Sequence, residues 1–236
     1  MDIPPTARNK IEIVPAILPA DFAEVVEKID LVSGIVKTVQ IDVCDGQFTP
    51  QATWPYGKRD DSFEKILKEE EGFPGWEKLN FEIDLMANNP EGLVDEWVSA
   101  GALRIIIHAE ARGDIAAAIE KLKDRVQIGL ALNLDTPLDV IEPYRDSIQS
   151  IQLMGIEHIG FQGEAFQERV IDKVRAAKAA YPQLLVSVDG GVSLESAEAL
   201  ISAGADRLVV GSAIFGSDNF VEAIANFKEV AHRVGR

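Results

Sequence analysis

The chain has 236 residues and carries 23 Lys and Arg against 39 Asp and Glu, a formal charge of −16, which argues against a nucleic-acid partner because such binders need basic patches. An anionic small molecule would have to be held locally, by backbone amides, helix N-termini or a metal. One cysteine, Cys44, leaves no internal disulfide. No run of about 18 apolar residues offers a membrane span, and the opening MDIPPTARNK lacks the apolar core of a signal peptide, so a cytoplasmic setting with no membrane partner is expected.

Read in chain order, short β-branched runs alternate with amphipathic helical stretches. The strand IEIVPAIL (11–18) leads into a helix over 20–32, then TVQIDV (38–43) follows. After LNFEIDLM (79–86) come a helix over 90–101, RIIIHA (104–109), a helix over 113–123 and VQIGLALN (126–133). SIQLM (150–154) precedes a helix over 163–181, and LLVSVDG (184–190) a helix over 194–204. RLVVG (207–211) and a last helix over 219–234 close the pattern. The repeated SAGA at 99–102 and 202–205 is a glycine helix stop feeding the next strand, and Glu69, Glu70 and Glu71 read as a solvated helix face. Eight strands with crossovers predict an α/β fold, a parallel eight-stranded (β/α)8 TIM barrel forming one domain over residues 1–236. A doubly wound open sheet would need a G-x-G-x-x-G fingerprint that the sequence does not carry.

Strand parity selects the candidate site. With Val39, Ile41 and Val43 toward the helices, Gln40 and Asp42 point inward. The same alternation puts Glu82, Asp84 and Met86 inside, with Ile106, His108, Ser187 and Asp189. Asp42, Asp84, His108 and Asp189 all fall late in their strands, at the rim where barrels place catalytic groups. A buried carboxylate costs several kcal/mol unless it is paired or put to use. Plainer roles exist for each: Asp42 capping a turn with Asp45 and Gly46, Asp84 pairing with an Arg or Lys, His108 as a satisfied barrel histidine.

The segments VPAILPADFAEVVEKI, QIDVCDGQFTP, FEIDLMANNPEGLVDEWVSAGALRIIIHAEA, LALNLDTPLDVI and SVDGGVSLESAEALISAGADRLVVGSAIFG together resemble the ribulose-phosphate 3-epimerase family, from about residue 11 to 227. The resemblance implies a TIM barrel interconverting ribulose 5-phosphate and xylulose 5-phosphate with two acid/base aspartates and a divalent metal. Asp42 and Asp189 match those aspartates. The chain departs from the family at Gln40 and Asp84, where metal-binding histidines stand, at Ala16 for a serine and at Cys44 for a methionine. It also departs in EHIGFQGEAF, which replaces a Pro-Gly-Phe-Gly-Gly run, and in a longer stretch over 55–78.

Epimerisation beside a carbonyl needs one carboxylate ionised and its partner protonated, and crowding supplies the difference in pKa. The donors Gln40, Asp42, Asp84 and Asp189 offer oxygen and no imidazole, which favours Mg²⁺ or Mn²⁺ over Zn²⁺. The other reading has no metal, with Gln40 giving its amide N–H to Asp42. A phosphate is expected against Gly190, Gly191, Gly211 and Ser212, with Gly160 and Gly163 as a third wall. Ala16, Met86, His108 and Met154 complete the pocket. The expected ligand is a small phosphorylated sugar, and a homo-oligomer is allowed. Related barrel lyases carry Asp-x-Lys-x-x-Asp in strand three, but Met86 stands in the lysine slot. The remaining alternative is a sugar-phosphate-binding barrel that has lost the metal histidines.

Overall fold

Val39, Ile41 and Val43 alternate with Gln40, Asp42 and Cys44, and in the computed structural model, which describes residues 11–58 and 60–235, this run is the second of eight parallel strands. The opening ten residues, with their expected lack of a signal sequence, lie outside the described residues. The strands are β1 (Glu12–Ile17), β2 (Thr38–Cys44), β3 (Asn80–Met86), β4 (Arg104–His108), β5 (Gln127–Leu132), β6 (Ser150–Met154), β7 (Leu185–Asp189) and β8 (Arg207–Val210). They pair in sequence order, and β8 returns to β1, so no edge is left open. The helices are α1 (Phe22–Val32), α2 (Ser62–Leu67), α3 (Val94–Ser99), α4 (Ile115–Leu122), α5 (Arg169–Ala180), α6 (Leu194–Ala203), α7 (Ser212–Phe215) and α8 (Phe220–Val234). This is the expected (β/α)8 TIM barrel.

Parity sorts the side chains as the alternation requires. Val39, Ile41, Val43, Ile83, Ile105 and Ile107 belong to the large apolar layer between strands and helices. Inside the barrel the apolar filling is small, with Val14, Ala16 and Val209 as its cluster. The floor is ionic instead. Arg207 donates from Nη2 to Glu82 (2.7 Å) and from Nε to Glu12 (2.9 Å), while Arg104 donates from Nη1 to Glu82 (2.8 Å). Thr38 Oγ1 donates to Glu12 at 2.7 Å. A buried Glu82 is tolerable because two guanidiniums meet it. This network fills the N-terminal part of the barrel and leaves the C-terminal rim to the candidate site.

Local chemistry sets the element ends. Asp21 caps α1 by accepting from the Glu24 N–H, and Ser193 and Ser196 form a reciprocal capping box on α6. Both SAGA stops hold their glycine left-handed, Gly101 at φ 94° and Gly204 at φ 112°. Two helical expectations shift. The segment 163–181 becomes helical only at Arg169, because Gly163 is left-handed and residues 164–167, without regular structure, lay Phe166 on Gly191. Glu69, Glu70 and Glu71 lie past the end of α2 rather than on its face, the chain having turned at Glu69 (φ 59°). The longer stretch after β2 is anchored by an aromatic cluster in which Trp54 meets Phe63, Phe73 and Trp97 at centroid distances of 5.5–6.0 Å. No helix among the described residues is long and apolar enough to cross a membrane.

Candidate active site

The register of β2 against β3 places Asp42 directly beside Asp84, and that of β6 against β7 places Met154 beside Asp189. Three carboxylates therefore converge: oxygens of Asp42, Asp84 and Asp189 all lie within 4.8 Å of one another. All three side chains are buried. Like charges so close repel strongly unless protons, donors or a cation intervene.

Amide donors intervene first. Gln40 Nε2 donates to Asp42 Oδ1 at 2.8 Å and to Asp189 Oδ2 at 2.7 Å, bridging the two carboxyl groups. Gln152 Nε2 gives Asp189 Oδ2 a second hydrogen bond at 3.1 Å. Protons intervene second. Burial and then the neighbouring Asp84 charge push Asp189 up to about 7, against the Gln40 hydrogen bond. Burial, followed by the charges of Asp189 and Asp84, holds Asp42 well above the ordinary carboxylate range. Both shifts favour a proton shared by the pair over two bare charges.

Asp84 has a different partner. The wholly buried His108 ring meets Asp84 Oδ1 through Nε2 at 3.1 Å, and its Nδ1 stands 3.8 Å from Glu110 Oε2, an ion-pair distance rather than a hydrogen bond. Burial pulls His108 down, but the two carboxylates outweigh it and lift the imidazole to about 9. Glu110 is in turn fixed by the Asn133 N–H at 2.8 Å and by the Thr136 hydroxyl. Burial raises Glu110, yet His108 and these donors bring it down to about 2. The partner of Asp84 is thus a histidinium, not an Arg or Lys.

A cavity opens above these groups. Asp42, Asp84, Asp189, Ala16, Met86 and Met154 line its inner end. Gly160, Gly163, Gly190, Gly191, Gly211 and Ser212 line its outer end. All the glycines expected at the phosphate end, with Ser212, are therefore brought to one cavity. The fit is close: a Cβ on Gly191 would lie 2.8 Å from the Phe166 backbone. One expectation, the place of His108, differs, and the plainer role of Asp42 finds no support. His108 does not line the cavity but stands behind Asp84, where among the described residues that carboxylate and Glu110 reach its nitrogens. The turn after β2 is organised by Asp45, not Asp42: Asp45 Oδ1 accepts from the Gln47 and Phe48 N–H groups, both at 2.7 Å. Parity missed Gln152 and Glu110, although Gln152 shares the inward alternation of Ser150 and Met154.

The residues present fit a divalent cation. Asp84 Oδ2 and Gln40 Oε1 are buried without a hydrogen-bond partner, and the three carboxylates supply hard oxygen donors within reach of one ion. Gln40 is the weakest of the four expected ligands, since its nitrogen is turned to the carboxylates.

A closed parallel barrel with carboxylates and a glycine-lined cavity at its C-terminal rim has the layout of a TIM-barrel enzyme. The chain belongs to the ribulose-phosphate 3-epimerase family, whose model matches residues 12–215. Ribulose-phosphate 3-epimerase of Bacillus subtilis is 32% identical over 225 residues, covering 92% of this chain and 98% of that protein. The Schizosaccharomyces pombe protein of the same name is 30% identical over 220 residues, with 92% of each covered. Among solved structures, KGPDC from Streptococcus mutans superposes with a TM-score of 0.71 at 17% identity, covering 95% of this chain and 98% of that one. That likeness shows the fold alone.

Proposed function

We propose that the protein is a single-domain sugar-phosphate 3-epimerase of the ribulose 5-phosphate/xylulose 5-phosphate type, with Asp42 and Asp189 as its acid/base pair. The observation that carries this reading is the Gln40 bridge: two buried carboxyl groups, on strands far apart in the sequence, share one amide and hold pKa values above the ordinary range. Such a pair begins the reaction with one member ionised and the other protonated. The ionised member takes the proton from C3, and its partner returns one to the opposite face. Gln40 and Gln152 keep both carboxyl groups oriented through the exchange. His108, held by Glu110, fixes Asp84 beside them.

The enediolate formed between the two transfers needs positive charge or hydrogen-bond donors at its oxygens. A divalent cation held by Asp42, Asp84 and Asp189, with Gln40, would supply Lewis-acid stabilisation there, and an all-oxygen donor set favours Mg²⁺ or Mn²⁺ over Zn²⁺. The phosphate of the sugar sits at the glycine end, against backbone amides near Gly190, Gly191, Gly211 and Ser212, with the wall from Gly160 to Gly163 closing it. A lyase reading is disfavoured by Met86, which brings a thioether to the cavity where those enzymes carry lysine. A binding protein without chemistry would use the same glycine end, but has no need of two carboxyl groups sharing a proton.

Purified protein incubated with ribulose 5-phosphate should form xylulose 5-phosphate. Asp42→Asn and Asp189→Asn should each lower kcat by about 10²- to 10⁴-fold. Full turnover in either variant would overturn the assignment.

A further inference from the structure

The cavity's outer end poses a problem of charge. Among the described residues, none that lines the cavity is a Lys or Arg, while three at its inner end are aspartates, so a phosphate entering it meets no fixed positive charge from them. Apart from the carboxyl groups, only two lining side chains among the described residues carry a hydrogen-bond donor: the Ser212 hydroxyl and the Gln162 carboxamide.

Gln162 is held where that donor counts. It follows Gly160, whose left-handed backbone (φ 84°) is pressed so closely on Thr49 that a Cβ would lie 2.8 Å from the Thr49 Cβ. Thr49 is itself buried, so the loop is pinned at that point. Two residues later the Gln162 side chain reaches across the mouth from the β6 loop toward β8. Its Nε2 stands 3.5 Å from the place a Cβ on Gly211 would occupy. Gly211 has no side chain to fill that space, so the amide N–H groups border the glycine cradle itself. The side chain is otherwise exposed, with no place in the core.

We propose that Gln162 is a further phosphate-binding residue of this site, its carboxamide N–H serving as a neutral ligand that closes the phosphate end over the bound anion. An uncharged donor suits the surroundings. It hydrogen-bonds a phosphate oxygen without bringing in a charge that would form an ion pair with the nearby aspartates, as a lysine would. The proposal rests on the phosphate end assigned under Proposed function, and its test separates the two.

Inorganic phosphate is titrated by calorimetry into the parent protein, Gln162→Ala and Gln162→Glu, with matching melts in the absence of phosphate as a check on folding. Removal of one hydrogen bond to an anion should weaken phosphate binding about tenfold in Gln162→Ala. Gln162→Glu, nearly isosteric but anionic near neutral pH, should weaken it further, with all three melts coinciding. Equal phosphate affinity in the three proteins would overturn the role of Gln162 while leaving the phosphate end standing. Tighter binding in Gln162→Ala would show a side chain that blocks the anion and would overturn it equally. Failure of the parent protein to bind phosphate at all would overturn the phosphate end and, with it, this inference.

Discussion

His108→Gln probes the electrostatic core of the site most sharply. The substitution keeps an N–H donor near Asp84 but removes the imidazolium charge that stands between Asp84 and Glu110. His108 and Asp84 are both fully buried and 3.1 Å apart, so water does not compensate for the loss. The lift of His108 from 6.5 to about 9 corresponds to about 3 kcal/mol of stability. The cost of breaking a buried ion pair by deleting one member, about 3–5 kcal/mol, is of the same size. The sign follows from the raised pKa. The contribution is fully present below the unfolded histidine value near 6.5 and is lost as pH rises through about 9. Urea unfolding of chelator-treated parent and variant, at several pH values, measures it. His108→Gln should lose about 3 kcal/mol at pH 6, and the gap should close toward pH 10. A loss that is the same at both pH values would refute a charged histidine, and a loss below about 1 kcal/mol at pH 6 would refute the pairing.

Asp189→Asn should trade activity for stability. A carboxyl raised to about 7 contributes its stability below the ordinary 3.8 and loses it as pH climbs through 7, so the metal-free variant should be more stable than the parent at pH 8, by about 2–4 kcal/mol, and not at pH 4. Denaturant melts at the two pH values check this, and an unchanged difference would contradict the raised pKa. Asp84→Asn removes an anionic ligand, so Mn²⁺ affinity measured by calorimetry should fall by about tenfold or more. The parent should take Mn²⁺ or Mg²⁺ in preference to Zn²⁺; tight Zn²⁺ binding that survives Asp84→Asn would contradict the all-oxygen site.

The barrel and the inner end of the site were legible because β2 and β3 alternate strictly. In TVQIDVC and NFEIDLM the apolar Val39, Ile41, Phe81 and Ile83 are each followed by a polar residue, so a single parity choice sorts the side chains. The ionic floor obeys the same rule: Arg104 lies two residues before Ile106, and Arg207 two before Val209. Extending parity back along β4 and β8 would have placed both inside. The start of α5 was not legible, since the helical pattern runs through 163–168 and distant contacts, Phe166 against Gly191 and the Gln167 N–H donating to the Gly155 carbonyl at 2.8 Å, hold that stretch out of the helix. The partner of Asp84 was hidden for a similar reason. Asp84 and His108 both point inward in the sequence, but their contact depends on how β3 and β4 lie side by side, and the charge on His108 depends on Glu110 beyond the strand end.

Solvent-deuterium exchange at C3 tests most directly whether two different carboxyl groups serve the two faces of one carbon. In heavy water the parent protein should wash deuterium into C3 of both ribulose 5-phosphate and xylulose 5-phosphate. Asp42→Asn and Asp189→Asn should each lose epimerisation yet retain exchange into one epimer, a different one in each variant, because the surviving carboxylate still faces that proton. Exchange into the same epimer in both variants, or exchange and epimerisation at parental rates in either, would contradict a two-carboxylate mechanism.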